Sequence, residues 1–176
     1  MQLIAIDKAR YRKRLNIVII SFVTALLILS LGLGSTIIAF YGDLAIENSV
    51  GEIEINNFRY NILGVILALL ASIAVLHQIK DKPYLKEIYY VWKLKNLHNK
   101  IYRKAKKIKI AATDNVDALI ILNFYYHSRK QVYLLDDNTL TIPELDKEIQ
   151  QLDKIIAHKN LTLSLSQFKE SLLNSY

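Results

Sequence analysis

Two long apolar stretches interrupt a chain that is otherwise rich in charge. Leu15–Phe40 and Asn61–Ile79 contain no Asp, Glu, Lys or Arg. A run of about 20 apolar residues coiled as an α-helix matches the roughly 30 Å hydrocarbon core of a bilayer. The hydrophobic pattern therefore predicts a transmembrane hairpin.

The charges that flank these stretches predict an orientation. The leader before the first stretch carries five cations and the segment after the second begins with three, whereas the link between them carries four carboxylates before its first cation, Arg59. Short flanking segments rich in Lys and Arg stay cytoplasmic. We expect both termini in the cytoplasm and the link in the periplasm of a bacterium, as in a multi-pass inner-membrane protein. A cleaved signal peptide fits less well, because the first stretch is 26 residues long and no A-x-A site follows it.

The predicted organisation has five parts. These are a basic leader at 1–14, a first transmembrane helix at 15–41, an acidic periplasmic link at 42–59, a second transmembrane helix at 60–79 and a cytoplasmic helical domain at 80–176. The predicted fold class is an all-α membrane protein, in which a two-helix transmembrane hairpin is followed by a small cytoplasmic helical bundle.

Apolar spacing and capping residues predict the helices of the bundle. The first helix should begin near Pro83 and present one apolar face, formed by Tyr90, Leu94, Leu97, Ile101, Ala105, Ile108 and Ala112. A second helix, with Asp114 as its N-cap, should run to about Leu135 and be the most buried. A third should begin with a capping box from Thr141 to Glu144. Ser166 should cap a short last helix.

Positive charge is concentrated on the first helix of the bundle. The chain carries a formal net charge of +7, and residues 80–113 contain eleven cations and two anions. A basic stripe recurs at seven-residue spacing, with two further cations beside it: Lys86, Lys93, Lys100, Lys107, Arg103 and Lys104. The stripe could bind anionic lipid headgroups, at about 1 kcal/mol per cation, or a protein partner, or the phosphates of RNA. The bland interpretation is a helix face that only keeps the C-terminus in the cytoplasm and the helix solvated, or that pairs with the acidic later helices.

Small residues recur at four-residue spacing inside both apolar stretches. They are Ser30 and Gly34 in the first and Gly64, Ala68 and Ser72 in the second. Small residues allow helix backbones to approach closely in lipid. The pattern predicts a helix-packing face, although such spacing also arises by chance because small residues are common in membrane helices.

Catalytic chemistry finds little support in the sequence. The absence of cysteine excludes a thiolate nucleophile, an iron–sulfur cluster and a cysteine zinc site. His127 lies nine residues before Asp136 with no ligand partner at i+4, so a hydrogen-bonded interior histidine and a helix-ending turn at 136–138 are the favoured interpretation. The apolar stretches also lack the ionisable groups that mark ion paths. We expect no enzyme activity, no metal and no cofactor.

Several short motifs resemble those of a known family. They are Asp7 with Arg10-Tyr11-Arg12, Asn57-Phe58-Arg59-Tyr60-Asn61 with Gly64-Val65, Trp92-Lys93-Leu94-Lys95, and Phe124-Tyr125-Tyr126-His127 with Leu135-Asp136. In these motifs the chain resembles the small, functionally uncharacterised proteobacterial inner-membrane proteins known as domain of unknown function 3087. The resemblance implies an inner-membrane address and supplies no activity or catalytic residue.

The functional expectation is an accessory or scaffolding subunit of an inner-membrane protein complex. Its expected partners are membrane lipids and either another integral membrane protein or a second copy of the chain. The alternatives are a membrane tether that binds RNA or the ribosome through the basic stripe, with nucleic acid the less favoured partner, and a factor that interacts with anionic lipid.

Overall fold

In the part of the chain that the structure describes, the regular elements are helices and two very short strands. The computed structural model describes residues 2–42, 46–47, 53–54 and 57–176. In chain order the elements are α1 Lys8–Tyr41, β1 Ile46–Glu47, β2 Ile53–Glu54, α2 Phe58–Ile79, α3 Lys86–Ala111, α4 Val116–Leu135, α5 Ile142–His158 and two 3-10 helices, Leu165–Gln167 and Glu170–Ser175. They form two compact units, one of residues 14–86 and the other of residues 2–13 together with residues 87–176.

The unit of residues 14–86 is built on α2 and on most of α1. Both helices are long and apolar enough to cross a membrane. Each helix contains an apolar stretch of 18 residues. Only 6% of this stretch is buried in α1 and only 17% in α2. The strands β1 and β2 pair antiparallel, Ile46 opposite Glu54 and Glu47 opposite Ile53. The rest of the predicted link, at 43–45, 48–52 and 55–56, lies outside the described residues.

Helix α1 begins before the predicted span because the basic leader is itself helical. Asp7 precedes the first helical residue and accepts a hydrogen bond on Oδ1 from the backbone N–H of Arg10 at 2.7 Å. This is the geometry of a side-chain N-cap, which satisfies one of the otherwise free N–H groups of the first turn. Asp7 thus explains why the helix starts at Lys8.

The second unit is a bundle of α3, α4 and α5. Its core is centred on α4, where Ala118, Leu119, Ile121 and Phe124 are all fully buried. The prediction that this helix is the most buried is confirmed. The predicted apolar face of α3 is largely confirmed as well, since Leu94, Leu97, Ile101, Ile108 and Ala112 are buried, whereas Ala105 and Tyr90 are only half-buried.

The predicted helix starts were less accurate. Pro83 lies in a turn before α3 rather than in its first helical turn. The N-cap of α4 is Asn115, whose side chain accepts a hydrogen bond from the N–H of Asp117 at 2.8 Å, and not Asp114. Thr141 does precede α5, but its side chain makes no capping hydrogen bond, so the predicted capping box is wrong.

The predicted last helix is wrong in both its cap and its type. The capping box belongs to Ser164 and Gln167, and it opens a single 3-10 turn instead of an α-helix capped by Ser166. A second 3-10 helix follows, in which Leu173 is buried. Short 3-10 pieces are typical of connectors and chain ends that pack on a larger element.

The ends of α4 and α5 share one termination geometry. Asp137 and Asn160 have positive φ angles of 59° and 52°. In each case the next residue donates its N–H to a carbonyl five residues earlier, Asn138 to Tyr133 at 2.9 Å and Leu161 to Ile156 at 3.1 Å. These are Schellman bonds, which close a helix through a left-handed residue. The predicted turn after Leu135 is thereby confirmed.

The N-terminal segment packs on the bundle, which the sequence reasoning did not foresee. Tyr11 is only 2% exposed, and burial raises its pKa to about 12. The side chain of Gln131 donates to the carbonyl of Ile4 at 2.6 Å, and the hydroxyl of Tyr90 donates to the carbonyl of Gln2 at 3.1 Å. Arg10 forms an ion pair with Glu87 at 2.6 Å. The leader therefore forms part of the bundle.

Candidate functional sites

The small residues of the two apolar helices lie at a close backbone approach. Gly34, Gly64, Ala68 and Ser72 are buried and Ser30 is half-buried. A Cβ atom on Gly64 would lie 2.6 Å from the backbone nitrogen of Gly34 and 3.1 Å from the carbonyl oxygen of Ser30, which is closer than a side chain can be accommodated. The predicted packing face therefore lies at a close approach of the α1 and α2 backbones.

An apolar groove of about 460 Å³ continues from this contact. Phe22 and Leu29 of α1 and Val75 and Leu76 of α2 line it, and Lys82 and Tyr84 lie where α2 has ended. The guanidinium of Arg14 lies 5.1 Å from the centre of the Tyr84 ring. The groove thus has apolar walls along the helices and cations near one end.

The six cations of the basic stripe and its neighbours do not all remain available. Lys100 forms an ion pair with Glu170 at 2.7 Å, and Lys104 donates to the carbonyl of Leu173 at 2.7 Å. Both therefore attach the C-terminal 3-10 helix to α3. The other four, Lys86, Lys93, Arg103 and Lys107, are exposed and form no ion pair with any residue that the structure describes.

An aromatic pair lies beside Lys93 on α3. The rings of Tyr89 and Trp92 stack with centroids 5.5 Å apart, and the Lys93 ammonium lies 4.7 Å from the centre of the Tyr89 ring. The side chain of Trp92 is 56% exposed. Exposed aromatic residues next to cations are typical of membrane–water interfaces and of protein interfaces. Lys93 therefore has exposed aromatic neighbours on the same helix.

The structure does not bring His127, Asp136 and Asp137 together into a catalytic group. His127 is hydrogen-bonded as predicted, with Nδ1 2.9 Å from the carbonyl oxygen of Asn123 one turn earlier in the same helix, but it is half-buried and not interior. Asp136 pairs with Lys95 at 2.7 Å. Asp137 pairs with Lys8 and with Arg12, and the hydrogen bond from Lys8 lowers the pKa of its carboxyl. Each of these side chains has a structural partner.

The buried histidine of the bundle is His98, which sequence reasoning did not single out. Its Nε2 lies 2.8 Å from Oγ of the fully buried Ser128. The Ser128 hydroxyl donates to the carbonyl of Tyr125 at 3.1 Å, so Nε2–H is the donor to Ser128. Burial is the main reason that the pKa of His98 falls to about 4, and the positive charges of Arg129 and Lys95 lower it further. His98 is therefore neutral at pH 7.

A cavity of about 250 Å³ lies in the bundle and is lined by four tyrosines, Tyr102, Tyr125, Tyr126 and Tyr133. Arg129 of α4 also lines it. Arg129 Nε donates to the Tyr133 hydroxyl at 2.6 Å, and Nη1 lies 3.4 Å from the Tyr125 hydroxyl. Its guanidinium lies 5.1 Å and 5.6 Å from the centres of the same two rings. No sequence motif pointed to this cavity, because its lining comes from three helices.

Carboxylates line the same cavity, but one of them is already paired. Lys109 binds Glu148 at 2.7 Å, and that hydrogen bond raises the pKa of Lys109. Glu144 lies in the first turn of α5. Among the described residues, no group of three or more His, Asp or Glu side chains is arranged to hold a metal ion.

These features define a class of protein: a small helical bundle whose chain also contains two helices long and apolar enough to cross a membrane. The chain belongs to the family described as "Protein of unknown function (DUF3087)", which matches residues 1–173. The family resemblance found in the sequence motifs is thereby confirmed. Comparison with curated proteins finds no match, and neither does comparison with solved structures.

Proposed function

We propose that the protein is an accessory or scaffolding subunit of a bacterial inner-membrane complex and binds its partner through α3. The observation that carries the proposal is the exposed surface of α3, where Lys93, Arg103 and Lys107 have no acidic partner among the described residues and where Trp92 is exposed next to Lys93. Lys95, Lys109 and Lys130 all have carboxylate partners. A basic and aromatic surface that the chain does not neutralise itself suits an acidic protein surface.

Insertion of α1 and α2 into a bilayer is the first part of this proposal. An apolar helix of a soluble protein is normally buried, whereas Leu31, Phe40 and Leu70 are 71%, 78% and 59% exposed. Contiguous apolar surface of this extent is typical of a membrane or protein contact. The exposure of both helices supports a two-span hairpin.

The location of the leader supports the proposed topology. Residues 2–13 and residues 87–176 form one unit, while both apolar helices lie in the intervening chain apart from the first turns of α1. Segments that pack together must lie on the same side of any membrane that the chain crosses. The cations of the leader and of α3 favour the cytoplasm as that side.

The test is co-purification of the full chain from membranes in a mild non-ionic detergent. We expect a stoichiometric integral membrane protein to accompany the wild type, including at about 0.5 M salt, where the Debye length is only about 4 Å and apolar contacts persist. The double variant Lys93→Glu/Lys107→Glu should lose this partner. Lys100 and Lys104 are left unchanged because they hold the C-terminal segment.

The matched control reverses two lysines on α5, Lys147→Glu/Lys154→Glu, and so makes the same change in net charge. This control should keep the partner. Retention of the partner by the α3 variant would contradict the proposal. Co-purified material that ribonuclease digests would favour the RNA tether instead. Lipid binding would be favoured if the wild type and the control prefer vesicles with anionic lipid and the α3 variant does not.

A further inference from the structure

The Arg129 side chain differs from the neighbouring cations of the bundle. Lys130 pairs with Asp146 at 2.6 Å and Lys109 pairs with Glu148 at 2.7 Å. Arg129 is half-buried and has no carboxylate within 4.0 Å among the residues that the structure describes. Its partners are instead the two neutral hydroxyls of Tyr125 and Tyr133. The guanidinium cannot lose its proton, so its positive charge is not neutralised by an ion pair.

The surroundings of Arg129 orient it and leave donors unused. The guanidinium lies within cation–π range of the Tyr125 and Tyr133 rings, at 5.6 Å and 5.1 Å from their centres. Because the Tyr133 hydroxyl accepts from Nε, its own proton is available to a further acceptor. The N–H groups of Nη2 are not engaged in any of these contacts. Guanidinium and phenol donors therefore converge on one cavity.

An orphaned hydroxyl lines the same cavity. Thr141 belongs to its lining, and Oγ1 of Thr141 is buried without a hydrogen-bond partner. Buried polar atoms without a partner are uncommon in folded proteins and call for an explanation such as an absent ligand. A hydroxyl can donate to an anion, so Thr141 adds a third kind of donor to the cavity.

We propose that this cavity is a binding site for a small organic anion, with a carboxylate or phosphate group held by Arg129 and a planar apolar body held between tyrosine rings. Arginine binds both groups through paired N–H donors. Tyr102, Tyr125 and Tyr133 supply flat apolar walls. A volume of about 250 Å³ corresponds to about eight water molecules, which suits a single-ring compound. The site lies between α3, α4 and α5 and goes beyond the proposed partner surface.

Glu144 sets a limit on the ligand. It lines the cavity and, unlike Glu148, forms no ion pair among the described residues. A carboxylate there repels an anion that approaches from its side, so only an anionic group placed at Arg129 is favoured. Glu144→Gln should therefore strengthen binding, whereas it should have no effect on a ligand that binds without charge.

The experiment measures the melting temperature of the full chain in non-ionic detergent with four probes: benzoate, phenyl phosphate, neutral benzamide and inorganic phosphate. We expect benzoate or phenyl phosphate to raise the melting temperature at up to about 10 mM, ten times a Kd of about 1 mM. Benzamide has the same shape as benzoate and no charge, so it should give no shift. Inorganic phosphate lacks the ring and should raise the melting temperature by less than phenyl phosphate does.

Two variants and one control assign the effect to residues. Arg129→Gln should weaken binding by at least about tenfold, and Lys106→Gln, an exposed lysine of α3 outside the cavity, should leave it unchanged. Thr141→Val should raise the melting temperature of the ligand-free protein, because it removes an unsatisfied hydroxyl, and should weaken binding of the anion.

The proposal is overturned if neither aryl anion gives a shift, if benzamide gives the same shift as benzoate, or if the shift survives in Arg129→Gln. Should Arg129→Gln fail to fold, the comparison of benzoate with benzamide on the wild type and the Thr141→Val result still decide the matter. Loss of the partner in the Lys93→Glu/Lys107→Glu variant does not depend on these probes, so the two proposals can fail separately.

Discussion

The rings of Phe124 and Phe168 stack with their centroids 4.0 Å apart and their planes 10° from parallel. Phe124 is at the centre of α4, while Phe168 lies between the two 3-10 helices. Both are at most 1% exposed. The C-terminal segment is therefore an integral part of the core, although it contains no α-helix of its own.

Truncation of Phe168 should destabilise the whole bundle. We expect Phe168→Ala to lower the free energy of unfolding by about 3–5 kcal/mol, because it removes a buried aromatic ring and leaves a cavity beside Phe124. Thermal unfolding of the full chain, followed by circular dichroism, measures the change. Leu140→Ala is the control, since Leu140 is 92% exposed and should have little effect. A loss below about 1 kcal/mol would show that the segment is not part of the cooperative core.

The glycine contact between α1 and α2 gives a second prediction. Gly64→Leu should separate the two helices, because even a Cβ atom at this position meets the Gly34 backbone. Leucine is a better helix former than glycine, so any loosening must come from the contact and not from helix propensity. Two spin labels on cysteines introduced at Ile19 and Val75 should show a longer and broader distance, and labelling is specific because the chain has no cysteine of its own.

Gly32→Leu provides the matched control for this glycine substitution. A Cβ atom on Gly32 meets nothing within 4 Å. The same change at this position should leave the distance between the labels unaltered. Equal distances in both variants would mean that the small-residue spacing has no role in packing.

The membrane topology can be tested with reporter fusions. A reporter that is active only in the periplasm should work when it is inserted near Val50 and should be silent at Tyr176, because the link is acidic and both flanks are basic. An active reporter at Tyr176 would contradict the hairpin, and a silent reporter at both positions would contradict membrane insertion.

His98 predicts a loss of stability in mild acid. Its pKa is about 4 in the folded protein, below the ordinary value of 6.5, so the unfolded chain binds the proton more readily than the folded chain. Stability should therefore be retained above pH 6.5 and fall as the pH decreases toward 4. From these two values, His98 alone should cost about 2 kcal/mol between pH 7 and pH 5.

The variant His98→Gln isolates this contribution. Glutamine can donate to Ser128 but does not titrate, so the difference in unfolding free energy between pH 7 and pH 5 should shrink by about 2 kcal/mol relative to wild type. His127→Gln is the control, because His127 is only half-buried and bonds its own helix. An unchanged pH dependence in His98→Gln would show that acid acts through other groups.

The apolar helices and the core were predictable because each depends on a local pattern. Hydropathy alone gives the extent of α2 to within two residues, and three- and four-residue spacing identifies the buried positions of α3, such as Leu94 and Ile101. Helix caps were less predictable, since Asp114 and Asn115 are equally good N-cap residues in the sequence. Tertiary packing decides between such neighbours.

Features that join distant segments could not be predicted from the sequence. The cavity around Arg129 combines side chains from α3, α4 and α5, and no short motif encodes such a combination. The basic stripe illustrates the same limit, because its spacing is regular but only the fold shows that Lys100 and Lys104 serve the C-terminal segment. Periodicity predicts the helix face on which a residue lies, whereas the side chain that it contacts depends on how the bundle is assembled.

The packing of residues 2–13 against residues 87–176 also constrains the order of events during synthesis. The ribosome makes residues 2–13 before residues 87–176. At about 5–20 residues per second, the delay between the two segments is on the order of ten seconds. During this delay the leader cannot pack on the bundle, so only its own charges can hold it on one side of the membrane. If the helices insert as proposed, the charges of Lys8, Arg10 and their neighbours must set the orientation of α1 in the membrane before the bundle has folded. Once the bundle has folded around the leader, that orientation is hard to reverse.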